Sequence, residues 1–435
     1  MSQQKTAYRS AIIQIIADPK EVGIEEAYRY FEDGLLVVEN GYIVDVGDYI
    51  ETLAKHNGDM AMVNYQDKII TAGFIDTHIH YPQTGMIASY GEQLLDWLEN
   101  YTFPEEERFK DPEYAKKVAK IFLNELASNG TTTALVFGTV HKQSVDMFFQ
   151  EAQRRNLRMI CGKVLMDRNA PDYLTDTPEC GYNDSKELIE KWHNNGRLSY
   201  AVTPRFAPTS TPEQLAMVGQ LLQEYPSVYM HTHLSENKQE IEWVKSLFPD
   251  REGYLDVYDH YGLLHQRSVF AHGVHLSDCE CQRLSDTGSA IAFCPTSNLF
   301  LGSGLFDLTR IENFGIRVGM GTDVGAGTSF SLMQTMSEAY KIMQLQQQKL
   351  HPIKSLYQAT LGGAKALYLD NKIGSLEVGK EADFVVLEPN ATTLMKFRMQ
   401  QTKTLEEKLF VLMSLGDDRT VHATYVYGDL AYKNE

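Results

Sequence analysis

The stretch DKIITAGFIDTHIH, residues 67–80, sets the architecture. Its apolar part, 67–76, is a strand candidate, and it runs directly into His78 and His80. With one residue between them, two histidines on extended backbone point to the same face and can share one metal ion. Seven further apolar runs of this kind follow: TTTALVFG (131–138), LRMICGKVL (157–165), LSYAVTPRF (198–206), SVYMHTHLS (227–235), SVFAHGVH (268–275), SAIAFCPTS (289–297) and IRVGMGTD (316–323). Stretches with helical spacing lie between most of them, such as 112–130 and 211–226, the latter opening with the N-terminal signature Thr-Pro-Glu. Eight strands alternating with helices predict an α/β fold, a (β/α)8 TIM barrel, with an open doubly wound sheet as the alternative.

Outside this stretch the two ends resemble each other more than the middle. AYRSAIIQI, GLLVVEN and YIVDVGDYI near the start are short β-rich runs, and Glu39-Asn40-Gly41 supplies residues that tolerate positive φ at a hairpin turn. ADFVVLEP (382–389) and HATYVYGDLAYK (422–433) are β-rich again. The expectation is a small β-sandwich domain assembled from both termini, residues 1–66 and 376–435, with the barrel inserted as 67–375.

Composition narrows the function classes. Of 435 residues, 40 are Lys or Arg and 58 Asp or Glu, so the net charge is 40 − 58 = −18, which argues against a generally basic nucleic-acid binder. No apolar run reaches the 18 or so residues of a membrane span; the patch AIIQII is six residues long before Asp18 and Lys20. Cysteines 161, 180, 279, 281 and 294 form an odd, scattered set, unlike a disulfide framework, and a reducing cytoplasm is the expected compartment.

In a TIM barrel, working side chains gather at the C-terminal ends of the strands. His78 and His80 close the first strand, His233 the fifth, His272 the sixth and Asp323 the eighth. Taken singly, each could be a satisfied core histidine or a helix cap. Together they would be desolvated and mutually unfavourable without a cation, because buried charge is paired or bound to metal. A nitrogen and oxygen ligand set without thiolate favours Zn2+ or Fe2+ over Ca2+ or Mg2+. An ion of this kind acidifies a bound water, which makes hydrolysis the expected reaction class. His231 and His275 are ranked as supporting or structural, and histidines 56, 141, 193, 260, 265, 351 and 422 as structural.

TAGFIDTHIHYPQ (71–83), HTHLSE (231–236), FAHG (270–273) and MGTDVGAG (320–327) resemble the amidohydrolase superfamily, and KIGSLEVGKEADFVVL (372–387) is similar to its return into the small β-domain. HYPQTGMIASYGEQLLDWLENYTFPEE (80–106) resembles the branch of that superfamily whose members deaminate guanine. The resemblance implies one zinc per subunit, with Fe2+ as the substitute, held by His78, His80, His233 and Asp323. It also implies that Glu236 donates a proton to a ring nitrogen, that Asp323 moves the proton of the water, and that His272 is a proton shuttle or weak ligand. For the purine it implies contacts from Gln83, from the backbone around Tyr81 and Pro82, and from Arg205 with Phe206. The resemblance also implies that His80, His233, Glu236 and Asp323 border the same pocket. A homodimer is implied too. Trp97 and Phe103-Pro104 are expected to pack a loop over the site.

A deaminase of another purine or a pterin would share every metal ligand, so only Arg205, Gln83 and 84–106 speak against it. A barrel that had become a non-catalytic scaffold would lack ligands that this chain retains. The small zinc deaminases need His-x-Glu with Pro-Cys-x-x-Cys, and that signature is absent.

Overall fold

The computed structural model describes residues 5–56, 60–90 and 97–434. Strands β1 (Thr6–Ile15), β2 (Tyr28–Glu39), β3 (Tyr42–Asp48) and β4 (Ala61–Ala72) come first. The barrel strands follow: β5 (Phe74–His80), β6 (Thr131–Phe137), β7 (Arg158–Gly162) with its two-residue continuation β8 (Val164–Leu165), β9 (Ser199–Pro204), β10 (Tyr229–Leu234), β11 (Ser268–His272), β12 (Ala290–Phe293) and β13 (Arg317–Met320). They pair in parallel in the order β5-β6-β7-β9-β10-β11-β12-β13, with β8 on β9. Thr77 Oγ1 donates to Met320 O at 2.9 Å, and Asp323 N to His78 O and His80 N to Val324 O at 2.9 Å each, which brings β13 against β5. The expected barrel is the observed one.

Every residue of β5, β6 and β7 is buried, as parallel strands covered on both faces require. Ile75, Leu135, Ile160, Ala201, Tyr229 and Val269 fill the interior below the site, where Ala364 and Leu367 plug the barrel. The predicted helices form at Pro112–Ser128 and Pro212–Glu224; Thr211 caps the second by accepting from Gln214 N.

Strands β14 (Phe384–Leu387), β15 (Val421–Val426) and β16 (Asp429–Lys433) join the first four in one seven-stranded mixed sheet, β16-β15-β14-β4-β1-β2-β3. Asn40 and Gly41 turn β2 into β3 with φ of 59° and 82°, as the hairpin signal predicts. The sheet curls: Tyr8 on β1 reaches Phe384 on β14, ring centroids 4.9 Å apart, although β4 lies between those strands. Two halves of one sheet thus close over a shared core, the form the expected sandwich takes.

One expectation needs correction. The apolar run 67–76 is two strands, not one, and β4 stays in the terminal sheet through Ala72 rather than ending before residue 67. The crossing occurs at Gly73, whose N–H donates to Asp383 O at 3.0 Å. A Cβ there would sit 2.3 Å from Thr132 Oγ1, so the backbone passes from sheet to barrel through a gap that only glycine fits.

Candidate active site

The barrel carries its chemistry at the upper strand ends. His78 and His80 project from the end of β5, His233 from β10, and Asp323 from the turn after β13, and one ligand atom from each lies within 4.8 Å of all the others. His80 Nε2 stands 3.3 Å from both His78 Nε2 and His233 Nε2, and Asp323 Oδ1 is 3.1 Å from His78 Nε2 and 3.2 Å from His80 Nε2. All four side chains are buried or nearly so.

The protonation pattern fits a cation. His233 Nδ1 donates to Arg205 O at 2.7 Å, so the neutral ring turns the lone pair of Nε2 into the cluster. His78 Nδ1 lies 2.8 Å from His231 Nε2, a partner that leaves His78 Nε2 free to ligate. Burial pushes His78 down, His80 down to about 3 and His233 well below the ordinary imidazole value, so these rings are neutral. Burial would raise Asp323, but His78 and His80 outweigh it and hold the carboxyl well below its usual range. Three inward lone pairs and one carboxylate match a divalent transition metal, with nitrogen and oxygen donors only.

Two further groups border the cluster. Glu236 Oε2 is 3.4 Å from His272 Nε2, which is 3.8 Å from Asp323 Oδ2. His272 Nδ1 is fixed on Asn298 Oδ1 at 2.9 Å, so its Nε2 faces both carboxylates. Burial, then the charge of Asp323, pushes Glu236 up to about 8, although Ser303 Oγ donates to its Oε1 at 2.9 Å. Ser235, His272 and Asp323 all have positive φ, 48°, 71° and 51°, a costly backbone for non-glycine residues that concentrates where side chains must be aimed.

A small cavity opens over these groups, walled by His80, Gln83, Trp97, Leu98, Arg205, Phe206, His233, Glu236, His272 and Asp323 among others. Arg205 Nη1 donates to both oxygens of Glu106, at 3.0 and 2.8 Å. Gln83 Nε2 donates to Glu106 Oε1 at 3.4 Å, and Gln83 Oε1 accepts from Gly325 N at 3.0 Å. Trp97 forms part of the wall itself, and its Nε1 has no partner among the described residues. Residues 91–96 of the loop expected over the site lie outside the described residues.

The contacts expected of Tyr81 and Pro82 are backbone ones, and their side chains lie elsewhere. Tyr81 and Pro82 are not in the cavity wall. The Tyr81 ring turns outward among Phe109, Phe122 and Phe148, and its hydroxyl donates to Ser144 O at 2.8 Å, where the chain leaves β5 for a 3-10 turn over Tyr81–Met86. Sequence reasoning also passed over Glu106, Asn298, Ser303 and Glu240. Glu240 Oε2 accepts from Glu236 N at 2.9 Å and from Asn237 N at 3.1 Å, and the capping spacing Asn-x-x-Glu at 237–240 was the available signal. His231 is the support expected of it. His275 Nε2 donates to Ser303 O at 2.8 Å, outside the cluster.

The amidohydrolase family profile matches residues 69–431. A guanine deaminase of Escherichia coli strain K12 is 55% identical over 98% of this chain and 98% of its own. The solved structure of an E. coli guanine deaminase superposes with a TM-score of 0.95 at 53% identity, covering 99% of this chain and 100% of that one. A guanine deaminase of C. acetobutylicum, solved with guanine in its active site, gives 0.89 at 30% identity over 99% and 100%. With its barrel, its strand-end histidines and its returning β-sheet, the chain belongs to the amidohydrolase family.

Proposed function

We propose that this site hydrolyses the exocyclic amine of guanine, giving xanthine and ammonia. One observation carries the reading: a chain 55% identical to a guanine deaminase over nearly its full length places a cationic donor, Arg205, in the same cavity as the metal-type cluster and Glu236. His78, His80, His233 and Asp323 would hold the ion, and zinc suits the donor set, with ferrous iron next. When bound, the divalent cation supplies a water whose pKa falls from 15.7 to about 7.

The chain's own residues do the rest. Attack at C2 of an aromatic amidine needs electrons drawn toward the ring, and Glu236, raised by burial, holds a proton to place on N3. Asp323 Oδ2 accepts the proton given up by water, with His272 Nε2 at 3.8 Å as the relay between it and Glu236. The amine leaves as ammonia after receiving that proton, and the C2 hydroxyl returns its remaining proton to Glu236 as the carbonyl of xanthine forms. Arg205 donates to the 6-oxo oxygen; adenine would present an amino donor there instead. Losing a buried hydrogen bond of this kind discriminates by up to about 10⁴–10⁵. Phe206 and Leu98 supply apolar wall.

A role in purine breakdown, a cytoplasmic location and a homodimer belong to the same proposal, on family likeness. Among the described residues no helix is long and apolar enough to cross a membrane. The test is ammonia release from guanine, adenine, cytosine and a pterin, with metal analysis of the same sample. Guanine should be turned over fastest, a single divalent ion should be found per chain, and chelation should abolish turnover. Inert guanine with metal bound would sink the substrate assignment and leave the family untouched.

A further inference from the structure

We propose that Glu106 is a positioning residue: it aims Arg205 at the 6-oxo group of the purine and, through Gln83, ties that recognition to the turn that carries Asp323. The inference rests on the guanine reading above. Glu106 and Arg205 are both buried, and a guanidinium at such depth needs a compensating acid. Both oxygens of Glu106 converge on one nitrogen, Nη1, and among the described residues no acceptor is bonded to Nε or Nη2. The carboxylate therefore pins one corner of the guanidinium and leaves its remaining donors for a ligand in the cavity. Phe103, three residues before Glu106, lies over the same group with its ring centroid 5.5 Å from Cζ, so one turn of the 103–107 helix restrains Arg205 in two ways.

The pairing also sets the class of ligand. Arg205 with Glu106 is close to neutral as a unit, so the cavity offers hydrogen-bond donors without a net positive charge. A neutral lactam oxygen suits that better than a carboxylate or phosphate, which would call for an unpaired guanidinium. The same carboxylate accepts from Gln83 Nε2 at 3.4 Å, and Gln83 Oε1 takes the N–H of Gly325, two residues past Asp323, at 3.0 Å. Removing the charge at residue 106 releases Arg205, while the amide oxygen of Glu106→Gln can still accept from Gln83.

The experiment compares guanine with 2-aminopurine, which keeps the amine at C2 and lacks the 6-oxo group. Wild type, Glu106→Gln, Arg205→Met and the double variant are assayed on both, 2-aminopurine being read as kcat/KM or, where it binds without turnover, as an inhibition constant. Glu106→Gln should lower kcat/KM for guanine about 10- to 100-fold, mostly through KM, while the 2-aminopurine value moves less than about threefold. The double variant should be no worse on guanine than Arg205→Met alone. Glu106→Asp, which keeps the charge, should restore part of the loss and guards against a Gln variant that does not fold. Metal content should match wild type throughout, while melting temperature should fall wherever one partner of the buried pair is left alone. Equal losses on both purines, or fully additive losses in the double variant, would overturn the role of Glu106. A wild-type chain that released no ammonia from guanine would instead overturn the underlying reading.

Discussion

Glu236 shows what a single side chain contributes here. Its carboxyl is buried, faces Asp323 and is raised to about 8, and a cation at the neighbouring cluster opposes part of that rise. A raised acid keeps its proton on the low-pH side and loses it as pH climbs through its own value. With Glu236 as donor, kcat falls on the alkaline side, at a pH below about 8 once the cation is bound, and Glu236→Gln removes that alkaline limb. The same variant should cost about 10²–10⁴ in kcat with metal content unchanged; an alkaline limb that survived it would assign the titration elsewhere. Residues such as His78, His80, His233, His272 and Asp323 were legible in the sequence because each closes an apolar run at a strand end. Glu106 was not, since it sits in a charged run, Glu105-Glu106-Glu107, and its partner Arg205 lies 99 residues further on. The Tyr81 ring turns away from the cavity where the chain leaves β5 for the turn Tyr81–Met86, a change of course that the residues alone did not show.

At the scale of elements, the alternation of strands and helices was readable, and so were the hairpin at Asn40-Gly41 and the Thr211 cap, because turn and cap chemistry is local. What local pattern could not show is where one sheet hands over to another. The run 67–76 is apolar throughout, since both the terminal sheet and the barrel bury it, and only the three-dimensional crowding at Gly73 separates β4 from β5. Gly73→Ala tests this. Its methyl would press on Thr132 Oγ1 at 2.3 Å and Cγ2 at 2.5 Å, and we expect a loss of about 1–3 kcal/mol in denaturant unfolding. Gly23, whose added Cβ would meet nothing within 4 Å although its φ is 90°, is the comparison site, where any cost is conformational alone.

Across the whole molecule, barrel and sheet are joined beneath the barrel by a buried ionic group. Arg158, at the start of β7, donates from Nε to Glu381 Oε2 at 2.8 Å; Arg197, just before β9, donates to the same oxygen from Nε at 3.0 Å and from Nη2 at 2.7 Å, and also pairs with Asp383. Asp383 in turn accepts from Tyr427 N at 2.8 Å. Glu381→Gln would leave two buried guanidiniums short of an acid and should cost about 3–5 kcal/mol. Arg158 and Arg197 hold Glu381 below its ordinary range despite burial. Its contribution is therefore full above the unfolded value of about 4.3 and fades as pH drops through the lower folded value. The gap in stability between wild type and Glu381→Gln should accordingly narrow below about pH 4 and stay constant near neutrality. A gap that widened in acid would contradict the assignment.

The sheet order has a consequence for synthesis. β4 finds its antiparallel neighbour only when Phe384–Leu387 arrives, pairing Phe384 with Ala72 and Val386 with Ile70, more than 300 residues after β4 has left the ribosome. Until then a nascent chain carries an open, apolar strand edge at Ile69, Ile70 and Ala72, the kind of surface that recruits other chains. A chain stopped at residue 375 would contain the complete metal cluster and every wall of the cavity, and yet should aggregate, read as loss from the supernatant on centrifugation. Completion of the small sheet thus covers last the edge on which the barrel's first strand begins.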